Sequence, residues 1–180
     1  MQNSKFFRNF ATDLLKTNLE CNIHMEEIID ELDVKILRII SQNARTPFKE
    51  VAEQCGVSRA AIHQRVQQMV EDGVITGSGF YVNPKKLGYN LCVFIGISLE
   101  KGTLYKQVTK ELEKILEVVE CHFTLGNYNM LIKLYAHDDA HLLDLLSNKI
   151  QAIPGVANTT TLTALDESIN RVLPIKMSQN

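Results

Sequence analysis

The sequence has no tryptophan and only four prolines in 180 residues. Its four cysteines, Cys21, Cys55, Cys92 and Cys121, stand far apart, and no Cys-x-x-Cys pair occurs, which excludes a zinc knuckle and a dithiol redox centre. They read as scattered buried thiols in a reducing cytosol. No apolar run approaches the ~20 residues of a membrane span. The first 24 residues carry three basic side chains but lack the continuous apolar stretch of a secretory signal. The expectation is a cytoplasmic protein. A phosphate-cradling glycine loop is missing as well, and so is an excess of charge: the net charge of −2 gives no global pull toward nucleic acid or an anionic membrane.

What is present is enough apolar material, 45% of the chain, for one good-sized core or two small ones. Charge is distributed unevenly. Residues 26 to 44 hold five acids and two bases, residues 45 to 89 four acids and six bases, and residues 90 to 180 ten acids and eight bases. The positive excess surrounds GVSRAAIHQRVQQMV, residues 56 to 70. Residues 1–25 form an extension with weak amphipathic spacing (Phe6, Phe7, Phe10, Leu14, Leu15). It reads either as an extra helix that packs on a partner or, preferred here, as sequence upstream of an alternative start at Met25.

From Leu32 the periodicity is helical. Asp33 is expected to cap a helix carrying Ile36, Leu37, Ile39 and Ile40. Thr46-Pro47 reads as an N-cap with proline at the first helical position, opening a second helix that Gly56 ends. Only Val57 separates that glycine from the next cap, Ser58, and Val57 with Ile62 has the spacing of a hydrophobic staple. Two short helices must then cross sharply, as in a helix-turn-helix. On a wheel of about 100° per residue, Arg59, Ala60, His63, Gln64, Gln67 and Gln68 share one half, and Ala61, Ile62, Val66 and Met69 the other. The polar half has no carboxylate to repel phosphate. Gln pairs bidentately with adenine and Arg with guanine in the major groove, and the small Ala60 permits close approach. Arg65, on the edge of the apolar arc, is suited either to a phosphate or to an internal ion pair.

After Gly73 the segments around Val74, Ile75, Phe80, Tyr81 and Val82 read as extended, broken by Gly77 and Gly79 and closed by Asn83-Pro84. Then come a strand (91–99), a helix marked by Leu104, Val108, Leu112, Ile115 and Leu116, a strand (118–125), a turn (125–129), a strand (130–135), a helix through Leu142 to Ile150, and a strand (156–165). The fold class is α+β: an N-terminal winged helix-turn-helix (26–84), then a ferredoxin-like βαββαβ sandwich (85–167), with a tail at 168–180. Both helices cover one sheet face, and a second subunit is the simplest cover for the other.

The run LDVKILRIISQNARTPFKEVAEQCGVSRAAIHQRVQQMVEDGVITGSGFYVNPKKLGYNL, with TLGNYNMLIKLY in the second unit, resembles the Lrp/AsnC (leucine-responsive regulatory protein, feast/famine) family of transcription regulators. The resemblance covers residues 26 to about 168. It implies a regulator that binds double-stranded DNA, dimerises through its sheets, assembles further into octamers and responds to a small effector, commonly an amino acid. Carried over by position, Ser58, Arg59, Ala60, His63, Gln64 and Arg65 match the recognition helix. Gly126, Asn127, Tyr128 and Asn129 match the effector loop. The family usually has a carboxylate where Asn129 stands, able to hold an ammonium group by a charge-assisted bond; Asn offers a neutral acceptor. The wing and Lys85 or Lys86 are expected near phosphates.

Enzyme readings do not hold together. Cys121 and His122 are strand neighbours that point to opposite faces. HDDAH (137–141) has the spacing of a weak metal site, but its aspartates suit the start of the following helix. No cofactor is expected. On fold alone, the alternative function is a metabolite-binding regulatory module that never reads DNA. RNA binding on the sheet needs paired aromatics, and strand 91–99 offers only Phe94.

Overall fold

The computed structural model describes residues 29–175, so the expected extension at 1–25 with its alternative start, and the end of the tail, lie outside the described residues. These divide into two units: 29–80 with 171–175, and 81–170.

The first unit has three helices, α1 (Glu31–Gln42), α2 (Phe48–Cys55) and α3 (Arg59–Glu71). The expected cap of α1 is displaced by one turn. Asp30, not Asp33, is the N-cap: its Oδ1 accepts the Asp33 N–H at 2.9 Å, while Asp33 Oδ2 accepts the Asp30 N–H at 3.1 Å. This reciprocal capping box satisfies two helix-end donors at once, which a lone cap at 33 would not. Pro47 is likewise the N-cap rather than the first helical residue. Its ψ of 139° is extended, and its carbonyl accepts from Glu50 and Val51. Gly56 ends α2 at φ 71°, where a Cβ is disfavoured, and the Gly56 and Val57 N–H groups both reach the Ala52 carbonyl. Ile36, Val51, Ala52, Ile62 and Met69 form the core, with Val57, Val74 and Ile75 packed on it.

Beyond Ile75 the expected wing makes no strand ladder. Gly77 and Gly79 bring no side chains to pack, and an extended segment without a paired neighbour gains little. A 3₁₀ turn follows at Pro84–Leu87, capped by the Asn83 side chain on Lys85 N–H.

The second unit is a four-stranded antiparallel sheet ordered β2-β3-β1-β4, from β1 (Leu91–Leu99), β2 (Val118–Phe123), β3 (Met130–Ala136) and β4 (Val156–Ala164). Two helical segments cover one face: α4 (Tyr105–Leu112), and α5 (Asp139–Asp144) continued by a π turn at Leu145–Ile150. Alternation along the strands sends Val93, Ile95, Ile97, Ile132 and Leu134 into a core with Val108, Leu112, Leu145 and Ile150. Leu116, expected on the helical face, is 89% exposed: α4 stops at Leu112, and the tight turn after it delivers Ile115 to the core instead. The register puts Cys92, Phe94, Leu131, Lys133, Tyr135 and Leu162 on the face without helices.

Candidate functional site

The polar half of α3 stands in solvent. Ser58 caps it, its Oγ accepting the Ala61 N–H at 3.2 Å. Arg59, Ala60, His63, Gln64 and Gln67 are all exposed, while Ile62 and Met69 are buried. Of the seven expected DNA-contacting residues, all on α3 or its cap, the structure therefore leaves six exposed. His63 stands edge-on to Phe48 of α2, ring centroids 5.9 Å apart. Gln67 donates through Nε2 to Glu71 at 3.0 Å, so its carbonyl oxygen is left as the outward acceptor.

Arg65 departs from this set. Its Nη1 lies 2.6 Å from Asp30 and 3.1 Å from Asp33, the same carboxylates that cap α1. Of the two sequence readings, the ion pair is the one realised, and the reason is burial. Asp33 is 4% exposed, and a carboxylate removed from water demands a cation. The Asp33 backbone N–H, then the Arg65 side chain, hold the Asp30 carboxyl below its usual range, and the Asp30 and Asp33 carboxylates raise Arg65. Sequence reasoning missed these partners. The one signal was Arg65's place beside the apolar arc.

The loop Gly126–Asn129 joins β2 to β3 and lies against the end of β1. Asn129 donates its N–H to Ile97 and accepts the Leu99 N–H through Oδ1 at 2.8 Å. Because a backbone N–H demands an oxygen, the amide nitrogen of Asn129 must point the other way. The Thr124 hydroxyl donates to the Tyr128 carbonyl at 2.8 Å. The Tyr128 ring lies on Gly96 of β1 so closely that a Cβ there would come within 2.5 Å of it. Gly126 and Asn127 are exposed at the tip.

The rejected clusters have structural employment. Asp138 caps α5, accepting the His141 N–H at 2.8 Å. His137 donates from Nδ1 to the Gly88 carbonyl at 2.9 Å and stacks between Tyr89 and His141, and His141 Nε2 is 3.5 Å from Glu117. Among the described residues, no group of three or more His, Cys, Asp or Glu could hold a metal ion. Cys121 pairs with Ile132 and His122 with Leu131, on opposite faces, so no thiol–imidazole dyad forms. No described helix is long and apolar enough to cross a membrane.

Comparison with known proteins agrees with this fold. The Lrp/AsnC ligand binding domain matches residues 92–173, and a winged helix-turn-helix DNA-binding model matches residues 29–76. The chain is 43% identical over 143 residues to the regulatory protein AsnC of Haemophilus influenzae, spanning 79% of this chain and 95% of that one. It is 36% identical over 140 residues to the HTH-type transcriptional regulator LrpA of Pyrococcus horikoshii, 78% and 99% of the two chains. The solved E. coli AsnC superposes with a TM-score of 0.76 at 41% identity, over 81% of this chain and 97% of that one. A feast or famine regulatory protein from M. tuberculosis, complexed with L-methionine, shares the fold with a TM-score of 0.76 at 24% identity, over 82% and 99%.

Proposed function

The chain belongs to the Lrp/AsnC family of DNA-binding transcriptional regulators, and from that premise we propose that Ser58, Arg59, Ala60, His63, Gln64 and Gln67 carry its reading of double-stranded DNA. The observation that supports this is the exposed half of α3, which runs from its cap to Gln68 without a carboxylate. Arg59, one residue past the cap, stands where recognition helices reach base edges. His63, Gln64 and Gln67 follow along the groove. Arg65 does not touch DNA; it holds α3 against the capped end of α1. A metabolite-binding module that never reads DNA does not fit a member of this family.

The protein acts by binding and not by catalysis, as a cytoplasmic homodimer whose two α3 helices enter successive major grooves about one turn apart. The dimer forms through the sheet face that carries Phe94, Leu131 and Tyr135, and dimers associate into a higher assembly such as an octamer. An amino acid bound beside Gly126, Asn127, Tyr128 and Asn129 changes DNA binding by favouring one assembly over another. With its Oδ1 committed to Leu99, Asn129 offers this ligand an N–H donor. That suits a carboxylate or carbonyl oxygen, where an acidic residue would suit an ammonium group.

Fluorescence anisotropy at physiological salt, on duplex from upstream of the protein's own coding region beside a scrambled duplex, tests the reading. We expect a preference of at least ~10³, lost on replacing Arg59 and His63 by Ala with the oligomer intact. If gel filtration shows that the double variant loses its assembly instead, these residues are structural and the DNA assignment is wrong.

A further inference from the structure

Arg45 sits in the turn between α1 and α2, where Asn43 Oδ1 accepts its backbone N–H at 3.0 Å and the Thr46 N–H returns to the Asn43 carbonyl. Its guanidinium carbon lies 4.2 Å from the centre of the Phe80 ring, at the far end of the wing segment. Both residues are exposed. Phe80 is 73% exposed, although it is among the most apolar side chains of this unit. Among the described residues no acidic partner meets Arg45; its side chain lies on the Phe80 ring. The turn is also adjacent to the reading helix: three residues after Arg45, α2 begins at Phe48, whose ring stands edge-on to His63.

The geometry points to Arg45, held over the Phe80 ring, as a phosphate contact that grips the duplex beside the groove read by α3. This rests on the DNA reading proposed above and adds a residue to it. A guanidinium stacked on a ring loses one face but keeps its five N–H donors, which radiate in plane and match two phosphate oxygens. Stacking also removes rotamer freedom that a free arginine would lose on binding. The exposed guanidinium has no carboxylate to neutralise it among the described residues, and the anionic partner that the proposed function supplies is the DNA backbone. Here the first helix of a helix-turn-helix crosses that backbone. The contact is placed by the tertiary fold: 35 residues separate cation from ring.

The test is a salt series of anisotropy titrations on the duplex the wild-type protein prefers, with Arg45→Ala, Arg45→Lys and Phe80→Ala. Removing one phosphate contact should flatten the slope of log K against log salt by about 0.9 per bound protomer and weaken binding roughly fivefold at physiological salt, for preferred and scrambled duplex alike. Arg45→Lys should restore the slope and only part of the affinity, since an ammonium ion keeps the charge without the planar stack. Phe80→Ala should keep the slope and weaken binding less than Arg45→Ala. Arg45→Ala with wild-type slope and affinity overturns the inference alone, and so does lost affinity at unchanged slope, which marks a structural residue. Wild-type protein that binds neither duplex at low salt overturns the DNA reading itself. Both side chains being exposed, the variants fold, and circular dichroism checks it.

Discussion

At the scale of single residues, the carboxylates of Asp30 and Asp33 do two jobs, capping one helix and clamping another. Asp33 is almost fully buried, and Arg65, 41% exposed in its side chain, closes the charge account. Arg65→Ala therefore leaves a buried carboxylate with no counter-ion. Fully buried pairs lose ~3–5 kcal/mol when one partner is removed, and partial exposure here reduces the expectation to about 2 kcal/mol, read as a lower urea midpoint. The pH dependence has a definite sign. The folded Asp30 carboxyl is lowered by the Asp33 N–H and by Arg65, so its contribution is complete above the unfolded value of about 3.9 and is lost as pH falls through the folded one. Asp30→Asn should flatten the decline in stability below about pH 4 and change nothing at pH 7 except the loss of the ion pair itself. An unchanged acid limb would remove Asp30 from the account. The sequence made the ambiguity of Arg65 visible but could not resolve it, because both acids lie more than thirty residues upstream and only the docking of α3 on α1 brings them together.

At the scale of elements, legibility followed how much local chemistry each element carries. β1 was legible at both ends because nine apolar or small residues run unbroken from Leu91 to Leu99, between Asn90 and Glu100. The turn before α3 was legible because Gly56, Val57 and Ser58 each have a separate local role. The wing was not, since apolar residues among glycines read as strands only if a neighbour pairs with them, and pairing is a tertiary fact. The packing of Tyr128 on Gly96 was also invisible, although it lays the loop at 126–129 on β1. Gly96→Ala forces the ring outward, because its Cβ would meet three ring carbons at under 3 Å. Overpacking of this kind costs about 1–3 kcal/mol locally. Hydrogen exchange should show lost protection at the Thr124 and Asn129 N–H groups, which bond to Asn129 and Ile97, while the amides of α1 to α3 stay as they were. Equal protection in the variant and the parent would mean that the ring does not hold the loop.

For the whole molecule, the question is what covers the sheet face opposite α4 and α5. That face carries Phe94, Leu131, Tyr135 and Leu162, and at its centre Lys133, only 15% exposed in its side chain. Burial alone would lower the lysine, yet the hydrogen bond and charge of Glu120, 3.3 Å away, outweigh it and raise it, so the amine stays charged with its partner beside it. A paired cation in an apolar surround can be covered by a second copy without leaving a bare charge, which is what a two-fold sheet-to-sheet dimer requires. Leu131→Asp puts an unpaired carboxylate on that face. Light scattering should then report half the parent's mass or less, with an unchanged circular dichroism spectrum. DNA binding should weaken by at least about a hundredfold, because two linked reading helices bind far more tightly than either alone. A variant that keeps the parent's mass would show that the face is not the dimer interface. If the mass falls but the affinity holds, one reading helix suffices, and the spacing between two half-sites carries no part of the recognition.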